Sequence, residues 1–174
     1  NGGLNEVGYW TVGGQVYFEG FGTADNGVGA SWPGPTITSP SSSNWSVDVS
    51  GAGGTAGGYL RVQGGVMEAN DVDGEVVWQS SLIDISTSGL VDVSLDIAEA
   101  GTMEAGDYIR AYYSVNGGGP TLFTNGDITD DNGVEGDGNF RSVVATGLSG
   151  ATLQIIVRFN NNASGAEFHR LDNV

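Results

Sequence analysis

The sequence predicts an all-β fold: an antiparallel β-sandwich of the jelly-roll kind with no long helix. Three observations carry this. Glycine supplies 31 of 174 residues; Ser, Thr, Asn and Asp are abundant and strong helix formers are thin, a composition suited to short strands joined by turns. Successive stretches alternate apolar and polar side chains with the period of two that a half-buried strand requires. Pro33, Pro35, Pro40 and Pro120 all fall between those stretches, where a missing backbone donor does no harm.

Taken in order, residues 1–14 are Gly-rich and read as a loosely packed N-terminal extension of a single domain spanning 1–174. Gln15 to Phe21 reads as a first strand, and Thr23 to Ser43, with its Asp-Asn-Gly and Trp-Pro-Gly-Pro runs, as loop. Trp45 to Val49 alternates. So does Tyr59 to Gln63, with Leu60 and Val62 inward and Tyr59, Arg61 and Gln63 outward. Glu68 to Glu75 reads as an acidic turn leading to strands at Val76 to Ser80 and Leu82 to Ile85. Leu90 to Ile97 points Val91, Val93, Leu95 and Ile97 inward and Asp92, Ser94 and Asp96 outward. Asp107 to Val115 is a long strand closed by a turn at Asn116 to Gly119: Ile109, Ala111, Tyr113 and Val115 form its apolar set, and Tyr108, Arg110, Tyr112 and Ser114 the other. Thr121 to Phe123, Phe140 to Thr146, Ala151 to Asn160 and Glu167 to Val174 complete the strands.

Charge narrows the function. Twenty-one acids face five basic residues, all of them arginine, for a formal net charge of −16. Phosphate binding needs clustered cations, so nucleic acid is excluded as a partner. No apolar run is long enough to predict a membrane span, and with no cysteine there is no disulfide framework. Most of the acidity reads as solubility, with a few acids left for divalent cations. The acid-dense stretch from Asp127 to Asp137 lacks EF-hand spacing and reads as a solvated loop.

The outward sets, placed side by side, give Tyr59 and Arg61; Asp92 and Asp96; Tyr108, Arg110 and Tyr112; and Gln154, Arg158 and Asn160. Rings flanking a guanidinium suit a sugar chain, because aromatic faces pack on pyranose C–H groups and arginine forks two hydrogen bonds to paired oxygens. The alternative is an ordinary solvated face on which arginines offset nearby aspartates. Trp45 and Trp78 are further sugar-stacking candidates that rank behind the tyrosines, because core or edge packing is the commoner fate of a tryptophan in a strand.

Several stretches together resemble a known pattern: Gly74 to Ser80 with Ile83 to Ser86, Gly101 to Glu104 before Asp107 to Ser114, the turn Asn116 to Gly118, Leu148 to Ile155, and the ending Glu167 to Val174. The pattern is that of secreted bacterial jelly-roll modules accompanying polysaccharide-degrading enzymes, often of marine bacteria. These are similar to galactose-binding-like carbohydrate-binding modules, and the resemblance covers residues 66–174. It implies a secreted, extracellular domain that binds a polysaccharide and is covalently linked to a catalytic domain. Carboxylates on the face would repel a densely sulfated chain, so a neutral or moderately sulfated glycan is expected, marine galactans (agar, porphyran or carrageenan) ahead of β-glucans. A monomer is expected. In related modules a structural calcium ties an early acid to an aspartate near the final strand; Glu19 and Asp172 match those positions. Asp73 is a further candidate, in an Asp-x-Asp-Gly turn of a kind common without metal.

Catalysis is not expected. Glycoside hydrolysis needs two carboxyl groups at a set separation, and the Glu-x-Asp-x-x-Glu strand of jelly-roll hydrolases is missing. Asp92, Asp96 and Glu99 have the wrong spacing. His169, the single histidine, reads as a structural hydrogen-bonding residue. A third class, a protein-binding or adhesive domain, stays open, because exposed tyrosines and arginines also make protein hot spots.

Overall fold

The structure is a computed structural model that describes residues 17–22, 29–31 (backbone only), 44–53, 57–130, 137–162 and 167–174. The expected extension at 1–14, the start of the Gln15 strand and most of the Thr23 to Ser43 loop lie outside the described residues.

The strands are β1 (Gly29–Ser31), β2 (Trp45–Asp48), β3 (Tyr59–Gln63), β4 (Val66–Asn70), β5 (Val76–Ser80), β6 (Ile83–Asp84), β7 (Val91–Ala100), β8 (Tyr108–Val115), β9 (Thr121–Thr129), β10 (Arg141–Leu148), β11 (Thr152–Asn160) and β12 (Phe168–Asp172). Their lateral order is β1-β3-β4-β12-β7-β10-β9-β8-β11-β5-β2, with β6 beside β11, and every pairing is antiparallel. No α-helix occurs among the described residues. One residue pair, Val144 with Thr124, joins β10 to β9. That seam divides the array into a β1-β3-β4-β12-β7-β10 sheet and a β9-β8-β11-β5-β2 sheet, and the array curls so that their apolar faces share one core.

Period-two alternation explains the core. Leu60, Val62, Met67, Leu95, Ile97 and Leu171 come from the first sheet; Trp78, Ile109, Ala111, Phe123, Val157 and Phe159 come from the second. Trp45 and Trp78 sit in this core, the commoner of the two fates expected from sequence. Phe21 packs edge-on between them, with ring centroids 6.1 and 5.9 Å away.

Four expectations need correction. Residues 17–22 do not form a strand; Glu19 instead exchanges two backbone hydrogen bonds with Val174, and Phe21 turns inward with φ 44°. Glu68 is not in a turn but at the centre of β4. Asp127 ends not in a solvated loop but in β9, which runs on to Thr129. Ser114 is buried, its hydroxyl donating to the Gly118 carbonyl at 2.7 Å.

Candidate functional site

β8 lies between β9 and β11, so its outward side chains have neighbours on both sides. Arg110 stands opposite Arg158 and Asp127, Tyr108 opposite Asn160 and Thr129, and Tyr112 opposite Ile156 and Leu122. Two guanidiniums directly across a sheet repel unless carboxylates intervene. Here they do. Arg110 Nε donates to Asp127 Oδ1 at 2.8 Å, and Arg158 Nη1 donates to Glu75 Oε1 at 2.8 Å. The Tyr108 hydroxyl donates to the other oxygen of Glu75 at 2.7 Å. The Arg110 guanidinium lies 4.1 Å over the Tyr108 ring, and that of Arg158 lies 5.5 Å from the Tyr112 centroid. Both arginine side chains are about a third exposed (34% and 35%), so each ion pair contributes only about 0–1 kcal/mol to stability. Their effect is to hold rings and guanidiniums in one fixed array.

An open cleft of about 260 Å³ borders this array, walled by Gly106, Asp107, Tyr108, Arg110, Asp127 and Asp130. That is just below the roughly 300–1,000 Å³ typical of small-molecule pockets. Gln154 and Asn160 support the surface: Gln154 Nε2 donates to the Ser80 carbonyl, while Asn160 receives the Gly74 N–H and donates to the Gly106 carbonyl.

The ten residues expected to bind ligand do not form one face. Tyr108, Arg110, Tyr112, Gln154, Arg158 and Asn160 share the β8–β11 surface, whereas Tyr59, Arg61, Asp92 and Asp96 lie on the other sheet. There Arg61 stacks 3.6 Å over Tyr59, and Glu68 accepts from the Tyr59 hydroxyl at 2.7 Å and from Arg170 Nε at 2.8 Å. Asp92 accepts the Gly147 N–H, and Asp96 accepts from Asn173 Nδ2.

Of the acids expected to hold calcium, Glu19 and Asp172 are drawn together by the exchange between Glu19 and Val174. Glu19 Oε1 accepts the Phe21 N–H and Asp172 Oδ1 accepts the Asn173 N–H, so each has an oxygen already engaged. Asp73 is far along the sheet: Leu171 pairs with Met67 near the start of β4, whereas Asp73 follows its end.

A different acidic group emerges between the sheets. Glu104 and Asp107 bracket the turn before β8, closed by Asp107 N–H to the Glu104 carbonyl (2.9 Å) and Glu104 N–H to Asp107 Oδ2 (2.8 Å). Glu167 precedes β12, and its carboxylate comes together with those of Glu104 and Asp107, the ligand oxygens within 4.8 Å of one another. Asp107 and Glu167 are each 1% exposed, and Asp107 Oδ1 and both Glu167 oxygens make no hydrogen bond. His169, fully buried and opposite Glu99, brings Nε2 to 2.9 Å from Glu167 Oε1 without hydrogen-bond geometry. Burial, then the nearby Glu104 and Glu99 charges, push the Glu167 carboxyl up to about 8. Burial likewise lifts Asp107 to about 6 and lowers His169 to about 4, leaving the imidazole neutral. Sequence reading missed this group because its members come from two segments some sixty residues apart, the turn before β8 and the start of β12. The one local signal was a Glu-x-x-Asp turn with Gly at its third position.

No family model and no curated protein matches this chain. Among solved structures, it is similar to the K2 cleaved adhesin domain of Lys-gingipain at 15% identity, covering 90% of this chain and 94% of that one, with a TM-score of 0.48. The K1 domain of Lys-gingipain from Porphyromonas gingivalis W83 gives 15% identity, the same coverage and a TM-score of 0.45. A family 16 carbohydrate-binding module gives 14% identity over 77% of this chain and 86% of that one, with a TM-score of 0.38.

Proposed function

We propose that this is a non-catalytic carbohydrate-binding module whose β8–β11 face holds a polysaccharide, most simply a marine galactan of the agar, porphyran or carrageenan type. The observation that carries the reading is the fixed Tyr108–Arg110–Tyr112 array beside an open cleft. Tyr112, flanked by Leu122 and Ile156, offers an apolar platform for a sugar C–H face. Arg110 and Arg158, oriented by their carboxylates, keep further N–H donors for hydroxyl oxygens. Because Asp127 and Glu75 neutralise these arginines, the face suits a neutral chain such as agarose better than a densely sulfated one. Secretion, and linkage to an enzyme that the module keeps on its substrate, belong to the same proposal.

Absence of catalysis is part of the reading. A glycosidase needs its two carboxyl groups on either side of a reachable bond. Asp107 and Glu167 are each 1% exposed, and Glu75 and Asp127, the acids beside the rings, are held by arginines.

One observation favours a protein ligand instead. The arginine charges are already satisfied internally, and the face sets tyrosines beside arginines, residue types enriched in protein hot spots. Retardation of the domain in native gels cast with agarose, carrageenan, alginate or laminarin separates the two. Retardation supports the glycan; no retardation by any of them, with the fold intact, supports the protein partner.

A further inference from the structure

The acids gathered between the sheets, two of them buried and none met by an arginine among the described residues, are the least explained feature of the molecule. Burying a carboxylate without a partner costs several kcal/mol, and folded proteins avoid it by protonation, pairing or metal binding. The three arginine–carboxylate pairs engage Glu68, Glu75 and Asp127, not this group.

We propose that Glu104, Asp107 and Glu167 bind a divalent cation of the calcium type, which fastens the turn between β7 and β8 to the start of β12. The donors are hard carboxylate oxygens, the kind calcium prefers. Calcium–oxygen distances of about 2.3–2.6 Å set opposite ligands roughly 4.6–5.2 Å apart. The three carboxylates, with oxygens within 4.8 Å of one another, fit inside that sphere, whereas magnesium sheds its waters reluctantly and is less suited to a site walled by buried protein groups. His169 supplies a second, independent sign. It is a fully buried polar ring directed at Glu167, with neither nitrogen in a hydrogen bond.

The location gives the ion a structural task. The Glu104–Asp107 turn carries Gly106 and Asp107, which wall the cleft, and leads directly into Tyr108. Asn160 ties the turn to β11 through the Gly106 carbonyl, and the ion would tie it to β12. The site is distinct from the Glu19–Asp172 pair and does not depend on what the face binds.

The test is thermal unfolding of EDTA-treated protein titrated with calcium chloride or magnesium chloride. The expected result is a rise of roughly 5–10 °C at calcium about 100-fold above its Kd, with a weaker response to magnesium. Glu167→Gln should abolish the rise, and Glu19→Gln should retain it. In EDTA, Glu167→Gln, which replaces a buried carboxyl by a neutral amide of the same shape, should melt no lower than the native protein. Glu104 is exposed, so Glu104→Gln leaves the core untouched; it should weaken calcium binding at least tenfold by isothermal titration. The proposal is overturned if calcium shifts nothing, if the shift survives Glu167→Gln and is lost in Glu19→Gln, or if Glu104→Gln binds calcium like the native protein.

Discussion

Tyr59 and Tyr108 play the same part on opposite sheets. Each phenol donates to a glutamate that also takes an arginine from a neighbouring strand, and each ring is covered by the arginine two residues on. Burial and then the bond to Glu68 push the Tyr59 phenol up to about 12, above its ordinary 10. A folded pKa raised above the unfolded one gives stability that is complete below pH 10 and lost as the pH climbs toward 12. The melting temperature should therefore fall across that window, and fall less in Tyr59→Phe; identical profiles would show that the bond to Glu68 has no such effect. On the β8 face, Arg110→Ala should weaken glycan binding tenfold or more, about 1.5–3 kcal/mol for a lost charged hydrogen bond, with the fold unchanged by circular dichroism. Equal affinity would remove Arg110 from the face.

At the scale of elements, the strands most easily read from sequence were those with a clean apolar side. Residues 59–63 and 76–80 coincide with β3 and β5, and Asp107 to Val115 falls one residue outside β8. β4 was misread because Glu68 and Asn70 look like turn residues, yet both are buried: Glu68 under Tyr59 and Arg170, Asn70 through its bond to the Glu167 carbonyl. The far half of β9 was lost for a similar reason. Asn125, at φ 60°, and Gly126 mark an irregularity that looks like a strand end, after which Asp127 resumes pairing as the partner of Arg110. Charge that reads as solvent exposure in one dimension is a counter-charge in three. Gly74, at φ 141°, is a position where glycine is required: a Cβ there would meet the Gly51 carbonyl oxygen at 2.2 Å. Gly74→Ala should cost about 2–4 kcal/mol in chemical denaturation and loosen Glu75, so that glycan binding weakens with it. A variant with native stability would show that the 51–75 crossing yields easily.

For the whole molecule, alternation sufficed to identify the inward residues but not which strands are neighbours. Pairing β8 with β11 and β3 with β4 sends two similar Tyr–Arg patterns to different sheets, and nothing local to either strand encodes that separation. The acidic group illustrates the same limit, since Glu167 meets the Glu104–Asp107 turn only when both sheets close. Closure rests on the shared core. Trp78 is fully buried within 6.5 Å of Trp45 and 5.9 Å of Phe21, centroid to centroid, so Trp78→Ala should lower unfolding free energy by about 3–5 kcal/mol in a denaturant titration. Binding, in contrast, rests on the outward side of β8. The most direct measurement of that claim is affinity electrophoresis of the native domain and Tyr112→Ala through agarose-containing and glycan-free gels, both with calcium present. Retardation of the native domain, reduced at least tenfold in affinity by Tyr112→Ala, is the predicted result. Equal retardation of both proteins would contradict the proposed face, and a folded native domain that no galactan retards would contradict the proposed ligand.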